Sequence, residues 1–463
     1  MKHAGCPRGE LFLPLGNVRL SAMLERIKTL LKEEIRQTAG MGVEEEDEAR
    51  QQAVVARQPI FDARDRVWGY ELLYRRPSSM DKASFSSGSV ATASVIVNGL
   101  EMIRPGVKDS QKILINFPGD LIETQVVKLL PRDICVIEIL EDVLPTPEIL
   151  EAITSLKNAG YTVAVDDYTG QKNLEPFLPL ADIIKVDVLA IRREELAVQA
   201  QRLQRTGCRL LAEKVESREM ADYCRRLGFS LFQGYFFSRP ELVKGKKIST
   251  SQALRMRILA LCIGENVDFK AVSDTILHDP VITARFLQFI NSAYFGLTWR
   301  IRSVYHALNL VGPVTFMQWL CVSMLATLEN GPISQELAFI ASQRAKFLET
   351  LGKRLESRRM LPSSISPPTL FLAGLFSLLE SATGMPLQEV LDGVPIEEDV
   401  LVALAGGESA YSPWLRLMNH HERGEWEKSM VLTDNLCLAE DDLAAAYQAA
   451  IEWSAVFFNN TMR

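Results

Sequence analysis

The chain has 463 residues, 47% of them hydrophobic, which is enough for two or three domains with substantial cores and excludes a disordered tail. A formal net charge of -7 argues against duplex nucleic acid as a partner, because such proteins present a basic face or stripe. Seven scattered cysteines without a C-x-x-C pair exclude a zinc ribbon and fit reduced thiols, and no apolar stretch reaches the length of a membrane span or heads a signal peptide. The reading is therefore a cytoplasmic protein with no membrane span.

Residues 1–50 form the first region. Leu20, Met23, Leu24, Ile27, Leu30, Leu31 and Ile35 share one face of an amphipathic helix, which either packs on the body or pairs with a partner helix. The acidic stretch "GVEEEDEARQQ" behind it repels itself and reads as a solvated linker.

Residues 51–245 alternate short apolar runs ("KILINF", "CVIEIL", "YTVAVDD", "DIIKVDV", "RLLAEKVE", "FSLFQGYFF") with helical stretches such as "TPEILEAITSLKNAG". That alternation predicts right-handed βα units and a parallel sheet or barrel. Each run closes on a polar residue: Asn116, Glu138, Asp166, Lys185, Glu213 and Gln233. Taken singly, these are ordinary turn or solvated residues, and the side-by-side Asp166 and Asp167 could be a loop opening on a helix cap. Their recurrence at one place in the unit points to a site, because the C-terminal ends of parallel strands are where sites assemble.

Glu138, Asp166 and Asp167 are hard oxygen donors, Asn116 adds a neutral carbonyl oxygen, and Glu71 and Glu213 complete one or two octahedral oxygen sites. So much carboxylate calls for divalent cations. A pair of them about 3.5–4 Å apart suits in-line hydrolysis of a phosphodiester. Lys185 would then orient the attacking water, and Arg75 would meet a phosphate oxygen.

These residues resemble the EAL domain, a TIM-type (β/α)8 barrel phosphodiesterase module acting on cyclic di-GMP. The resemblance runs through "GYELLYR", "LINFPGDLI", "VIEILED", "VAVDDY", "IIKVD", "LLAEKVES" and "LFQGYFFSRP". It implies Mg²⁺ or Mn²⁺, one or two ions, held by Glu71, Asn116, Glu138, Asp166 and Asp167, with Lys185 and Glu213 beside the nucleophilic water. It also implies that Glu216 braces the loop after the Asp pair and that Arg75 and Gln233 lie near the ligand. A homodimer is a further implication. Two places depart from the family's pattern: the Gly-rich loop after the Asp pair is shortened to "DDYTGQKNL", and Lys214 stands where a small residue follows the first Glu of "AEKVE". These departures bear on Asp167 and the second ion, and they keep a receptor or scaffold role open beside hydrolysis to linear pGpG.

Residues 246–463 carry no strand signal and read as consecutive amphipathic helices, so the expected class is α/β followed by all-α. "DPVITARFLQFINSAYFGLTWRIRSVYHALNLVG", "LFLAGLFSLLES" and "NHHERGEWEKSM" resemble the HDOD domain, a relative of HD-type metallohydrolases, and the module order resembles the EAL-HDOD, or YuxH-type, signalling proteins. The only histidines here are His278, His306, His420 and His421, and Phe376 and Ser377 occupy the place of a His-Asp pair, so no catalytic HD site is expected. His278-Asp279 reads as a helix cap before Pro280. Asn291, Ser292, Tyr294, Phe295 and Gly296 read as a turn with an aromatic plug, which leaves this domain to bind protein partners or the barrel.

Overall fold

The computed structural model describes residues 54–75, 85–234, 280–327, 331–391 and 394–461. The amphipathic helix over 20–35, the acidic linker, the boundary near 245 and the His278-Asp279 pair lie outside the described residues.

Eight strands close into a barrel in sequence order. They are β1 (Val55–Asp62), β2 (Val67–Tyr74), β3 (Lys112–Phe117), β4 (Cys135–Ile139), β5 (Thr162–Tyr168), β6 (Ile183–Asp187), β7 (Arg209–Glu213) and β8 (Leu231–Phe232). Helices α1 (Phe85–Ile103), α2 (Gly119–Glu123), α3 (Pro147–Asn158), α4 (Arg193–Gln204) and α5 (Arg218–Arg226) join them, while a 3-10 turn over Glu175–Leu180 links β5 to β6. The helix starts follow local chemistry. Thr146 caps α3 by accepting from Ile149 N at 3.3 Å, with Pro147 next, and Ser217 caps α5 by accepting from Met220 N at 3.2 Å.

The barrel departs from a wholly parallel sheet in one strand. β1 runs antiparallel to both β2 and β8. The reason is local: Asp62 Oδ1 accepts from Arg64 N (2.8 Å) and Arg66 N (3.0 Å), closing a hairpin too short for a crossover helix. With no helix between β1 and β2, the outer face of that hairpin needs another cover.

The C-terminal helices supply it. They are α6 (Pro280–Ile290), α7 (Val304–Ala326), α8 (Pro332–Ser357), α9 (Pro367–Phe376), α10 (Leu379–Thr383), α11 (Leu387–Val390), α12 (Glu398–Leu404), α13 (Ser412–Glu422), α14 (Trp426–Asn435) and α15 (Glu440–Thr461). One hydrophobic core runs without interruption from the barrel wall (Val55, Leu72) to α8 (Phe347, Leu351) and α15 (Tyr447, Ile451). A second core inside the helical module gathers Phe286, Phe289, Trp319, Trp453 and Phe457.

Helix α7 is, among the described residues, the one helix long and apolar enough to cross a membrane by length and composition, where the sequence reading finds no such stretch. It is mostly buried, and Gly312 (φ 77, ψ 167) ahead of Pro313 breaks it where the sequence shows a turn signal. Asn291 ties the turn after α6, donating to Leu287 O and Ile301 O and accepting from Ile301 N, all at 2.7 Å. Phe295 plugs it edge-on against Phe289, with ring centroids 5.2 Å apart.

Candidate functional site at the strand C-termini

Side chains alternate across a strand, so inward positions on each strand are two residues apart. The barrel floor is an apolar layer of Ile60, Leu114, Val136, Ala164, Ile183, Leu211 and Leu231. Two residues further along β3 to β8 come Asn116, Glu138, Asp166, Lys185, Glu213 and Gln233, which therefore form the next layer up. β1 runs the other way, so its member of that layer precedes the floor residue Ile60. It is Gln58, paired in register with Glu71 of β2.

The two adjacent acids sit on an irregularity in β5. Val165 pairs with Ile184 and Tyr168 with Val186, so Asp166 and Asp167 together oppose Lys185 alone. This bulge interrupts the alternation that would otherwise send Asp167 to the opposite face. Asp167 takes a left-handed backbone (φ 43), and its N–H donates to Asp166 Oδ1 at 2.9 Å.

Lys185 is the centre of the layer. Its buried Nζ lies 2.7 Å from Asp166 Oδ1, 2.9 Å from Glu213 Oε1 and 3.3 Å from Glu71 Oε2, and it also pairs with Glu138. Burial pulls the Lys185 pKa down, but Asp166, Glu138, Glu213 and Glu71 more than offset it and leave the ammonium well above its ordinary value. Burial pushes Glu138 well above the usual carboxylate range and Glu213 up to about 8, Lys185 offsetting only part of each. Four carboxylates around one ammonium are short of positive charge.

Gln233 Nε2 donates to both Glu71 Oε2 and Gln58 Oε1 at 2.6 Å, and Asn116 Nδ2 reaches Glu71 Oε1 at 3.4 Å. Buried Glu138 Oε2, Glu213 Oε2 and Asn116 Oδ1 have no hydrogen-bond partner. Buried polar atoms are ordinarily satisfied, and an all-oxygen donor set with spare lone pairs fits a hard divalent cation. Asp166, Asp167 and Glu213 bring carboxylate oxygens within 4.8 Å of one another, the one such metal-ligating group among the described residues.

The structure thus brings Glu71, Asn116, Glu138, Asp166, Lys185, Glu213 and Gln233 together. Glu213 stands among the oxygen donors, with Oε1 on Lys185 and Oε2 without a partner. Arg75, at the end of β2, is instead engaged by Glu440 at the start of α15, at 2.7 Å. Glu216 is exposed in the turn before α5. The loop after Asp167 is tied by Gln171, whose Nε2 donates to Asp167 O (2.8 Å) and whose Oε1 accepts from Thr169 N (2.7 Å).

Gln58 and Asp187 escape sequence reasoning. The signal for Gln58 is the short "DARDR" turn, which forces an antiparallel first strand. For Asp187 it is one further step of the alternation beyond Lys185. In the helical module, Phe376 is buried and Ser377 Oγ accepts from Arg344 Nη1 at 3.0 Å, while Arg344 grips Glu422. This is a structural network with no metal-ligating group.

Fold and site together define a barrel with an oxygen-rich layer of buried side chains at its strand ends, carrying a helical module on its antiparallel hairpin. The EAL domain model matches residues 116–240 and the HDOD domain model residues 248–377. The Bacillus subtilis protein YuxH is 31% identical over 414 residues, covering 86% of this chain and 97% of its own. The Vibrio cholerae cyclic di-GMP phosphodiesterase CdgJ is 28% identical over 377 residues, covering 81% and 85%. Among solved structures, the Bacillus subtilis EAL-domain protein YkuI, in complex with cyclic di-GMP and calcium, is similar over 60% of this chain and 76% of its own, with 17% identity and a TM-score of 0.35. The chain belongs to the EAL-HDOD family of which YuxH is a member.

Proposed function

We propose that the chain is a cytoplasmic cyclic di-GMP signalling protein whose barrel hydrolyses the dinucleotide to linear pGpG, with the HDOD module regulating it and binding protein partners. The observation that carries this reading is the ring of buried carboxylates around Lys185, with spare oxygens on Glu138 and Glu213. The relative CdgJ, named for this activity, supports the choice of substrate.

Glu71, Asn116, Glu138 and Asp166 would hold Mg²⁺ or Mn²⁺. Such an ion supplies Lewis-acid polarisation of a phosphate oxygen and lowers the pKa of water. Lys185 donates to the water and fixes its direction, while Glu213 Oε2 accepts a hydrogen bond from it. The water oxygen forms the new P–O bond as its proton passes to Glu213, the P–O3′ bond breaks, and the 3′ oxygen takes up a proton from solvent. Gln233, fixed between Gln58 and Glu71, frames the ligand.

Strand β1 links the modules. It carries Gln58 into the site, while Val55 O pairs with His421 Nε2 (3.0 Å) and Arg57 N donates to Tyr447 OH (3.1 Å) on the helical side. A shift of the helices would thus be felt at Gln58, and it changes function only if the two arrangements differ in ligand affinity. Exposed Tyr294, Trp299 and Tyr305 offer the helical module a surface for protein partners.

A receptor without turnover is the second reading, favoured by the lysine on Asp167. Incubation with cyclic di-GMP and Mn²⁺, followed by chromatography, separates the two. Linear product from the wild type and none from Glu71→Gln supports hydrolysis. Equal product from both removes the proposed catalytic site, and binding without product selects the receptor.

A further inference from the structure

We infer that Lys214 is a built-in cation at the Asp167 end of the site, and that it limits the site to a single divalent ion per chain. The inference rests on the proposed reading of the barrel as a cation site and deepens it.

Lys214 follows β7, yet its Nζ reaches acids on the two preceding strands: Asp167 Oδ1 at 3.0 Å and Asp187 Oδ2 at 2.6 Å. Asp187 is a fixed anchor. It is buried, and its other oxygen accepts from Leu189 N (2.9 Å) and Ala190 N (3.1 Å). Lys214 also takes a left-handed backbone (φ 56), as Asp167 does, a conformation uncommon for residues with a side chain. Gly234 fixes this geometry from beneath: a Cβ there would lie 2.4 Å from Val215 N and 2.5 Å from Val215 O. The ammonium is therefore held on Asp167 from two sides.

The half away from Lys214 holds unpartnered buried oxygens on Glu138 and Asn116, whereas Glu213 reaches within 4.8 Å of Asp167. That half retains Glu71, Asn116, Glu138 and Asp166 for one ion. A second divalent ion on Asp167 would have to approach Lys214 against like-charge repulsion. One anionic ligand side thus meets a divalent ion and the other meets an ammonium.

The test is Mn²⁺ stoichiometry of the full-length chain, read from the electron paramagnetic resonance signal of free Mn²⁺ during titration. Lys214→Gly suits the left-handed backbone, and Lys214→Arg keeps the charge. The expected result is one ion in the wild type and in Lys214→Arg, and two in Lys214→Gly, with a spin-coupled pair at low temperature. Asp167→Asn should still bind one. Two ions in the wild type, one in Lys214→Gly, or loss of the single ion in Asp167→Asn would each overturn the inference. No Mn²⁺ bound to any form would instead overturn the reading of the barrel as a metal site, and the inference with it.

Discussion

At the residue scale, the decisive feature is a lysine buried among acids. A buried charge that loses its partner is costly, so Lys185→Met should destabilise the chain by about 3–5 kcal/mol in EDTA, measured by denaturant unfolding; an unchanged midpoint would contradict the arrangement around Lys185. Much of this layer was legible in the sequence, because a strand that alternates apolar residues and then ends on an acid, amide or lysine has to aim that residue at the strand's C-terminal end. Asn116, Glu138, Asp166, Lys185, Glu213 and Gln233 all follow that rule. Gln58 does not, since its strand enters the layer from the opposite direction. The sequence reading sets Arg75 against a phosphate oxygen; the structure pairs it with Glu440, 365 residues away. No local pattern encodes that distance.

At the element scale, the antiparallel hairpin is the seam of the molecule. The Arg57 guanidinium lies over the Tyr70 ring (4.2 Å) and the Phe339 ring (4.8 Å) and donates to Gly106 O at 2.8 Å, so this charged strand residue is buried against the helical module. Removing the acceptor of its backbone N–H with Tyr447→Phe should cost about 1–3 kcal/mol, measured by thermal unfolding; no loss would show that the hydrogen bond is not maintained. His421 seals the same seam among Phe347, Trp426 and Tyr447. Burial lowers its pKa from 6.5 to about 4, only partly offset by the bond to Val55 O. The folded chain therefore resists a proton that the unfolded chain accepts, so this contribution is complete above pH 6.5 and is lost as pH falls toward 4. Between pH 7 and 4.5 the loss is about 2–3 kcal/mol. His421→Gln, which can still donate but does not titrate, should show a smaller fall in unfolding midpoint over that range. An equal fall would place the pH sensitivity elsewhere.

At the scale of the whole molecule, two modules that the sequence separates by a change from alternating to purely helical pattern share one continuous core. The sequence announces each module by its own periodicity. It does not announce their docking, because the contact surface combines Val55 and Leu72 of the barrel with Phe347, Tyr447 and Ile451 from helices hundreds of residues later. The consequence is a barrel whose first strand contributes to the polar layer with one face and meets the helical module with the other.

The central claim is that an oxygen-rich layer at the strand ends binds a dinucleotide through a divalent cation. Calorimetric titration of the full-length chain with cyclic di-GMP, in Mn²⁺ and again in EDTA, tests it most directly. Binding in Mn²⁺ that disappears in EDTA and in Glu138→Gln is the predicted result. Binding of equal strength in EDTA, or in Glu138→Gln, would contradict the account.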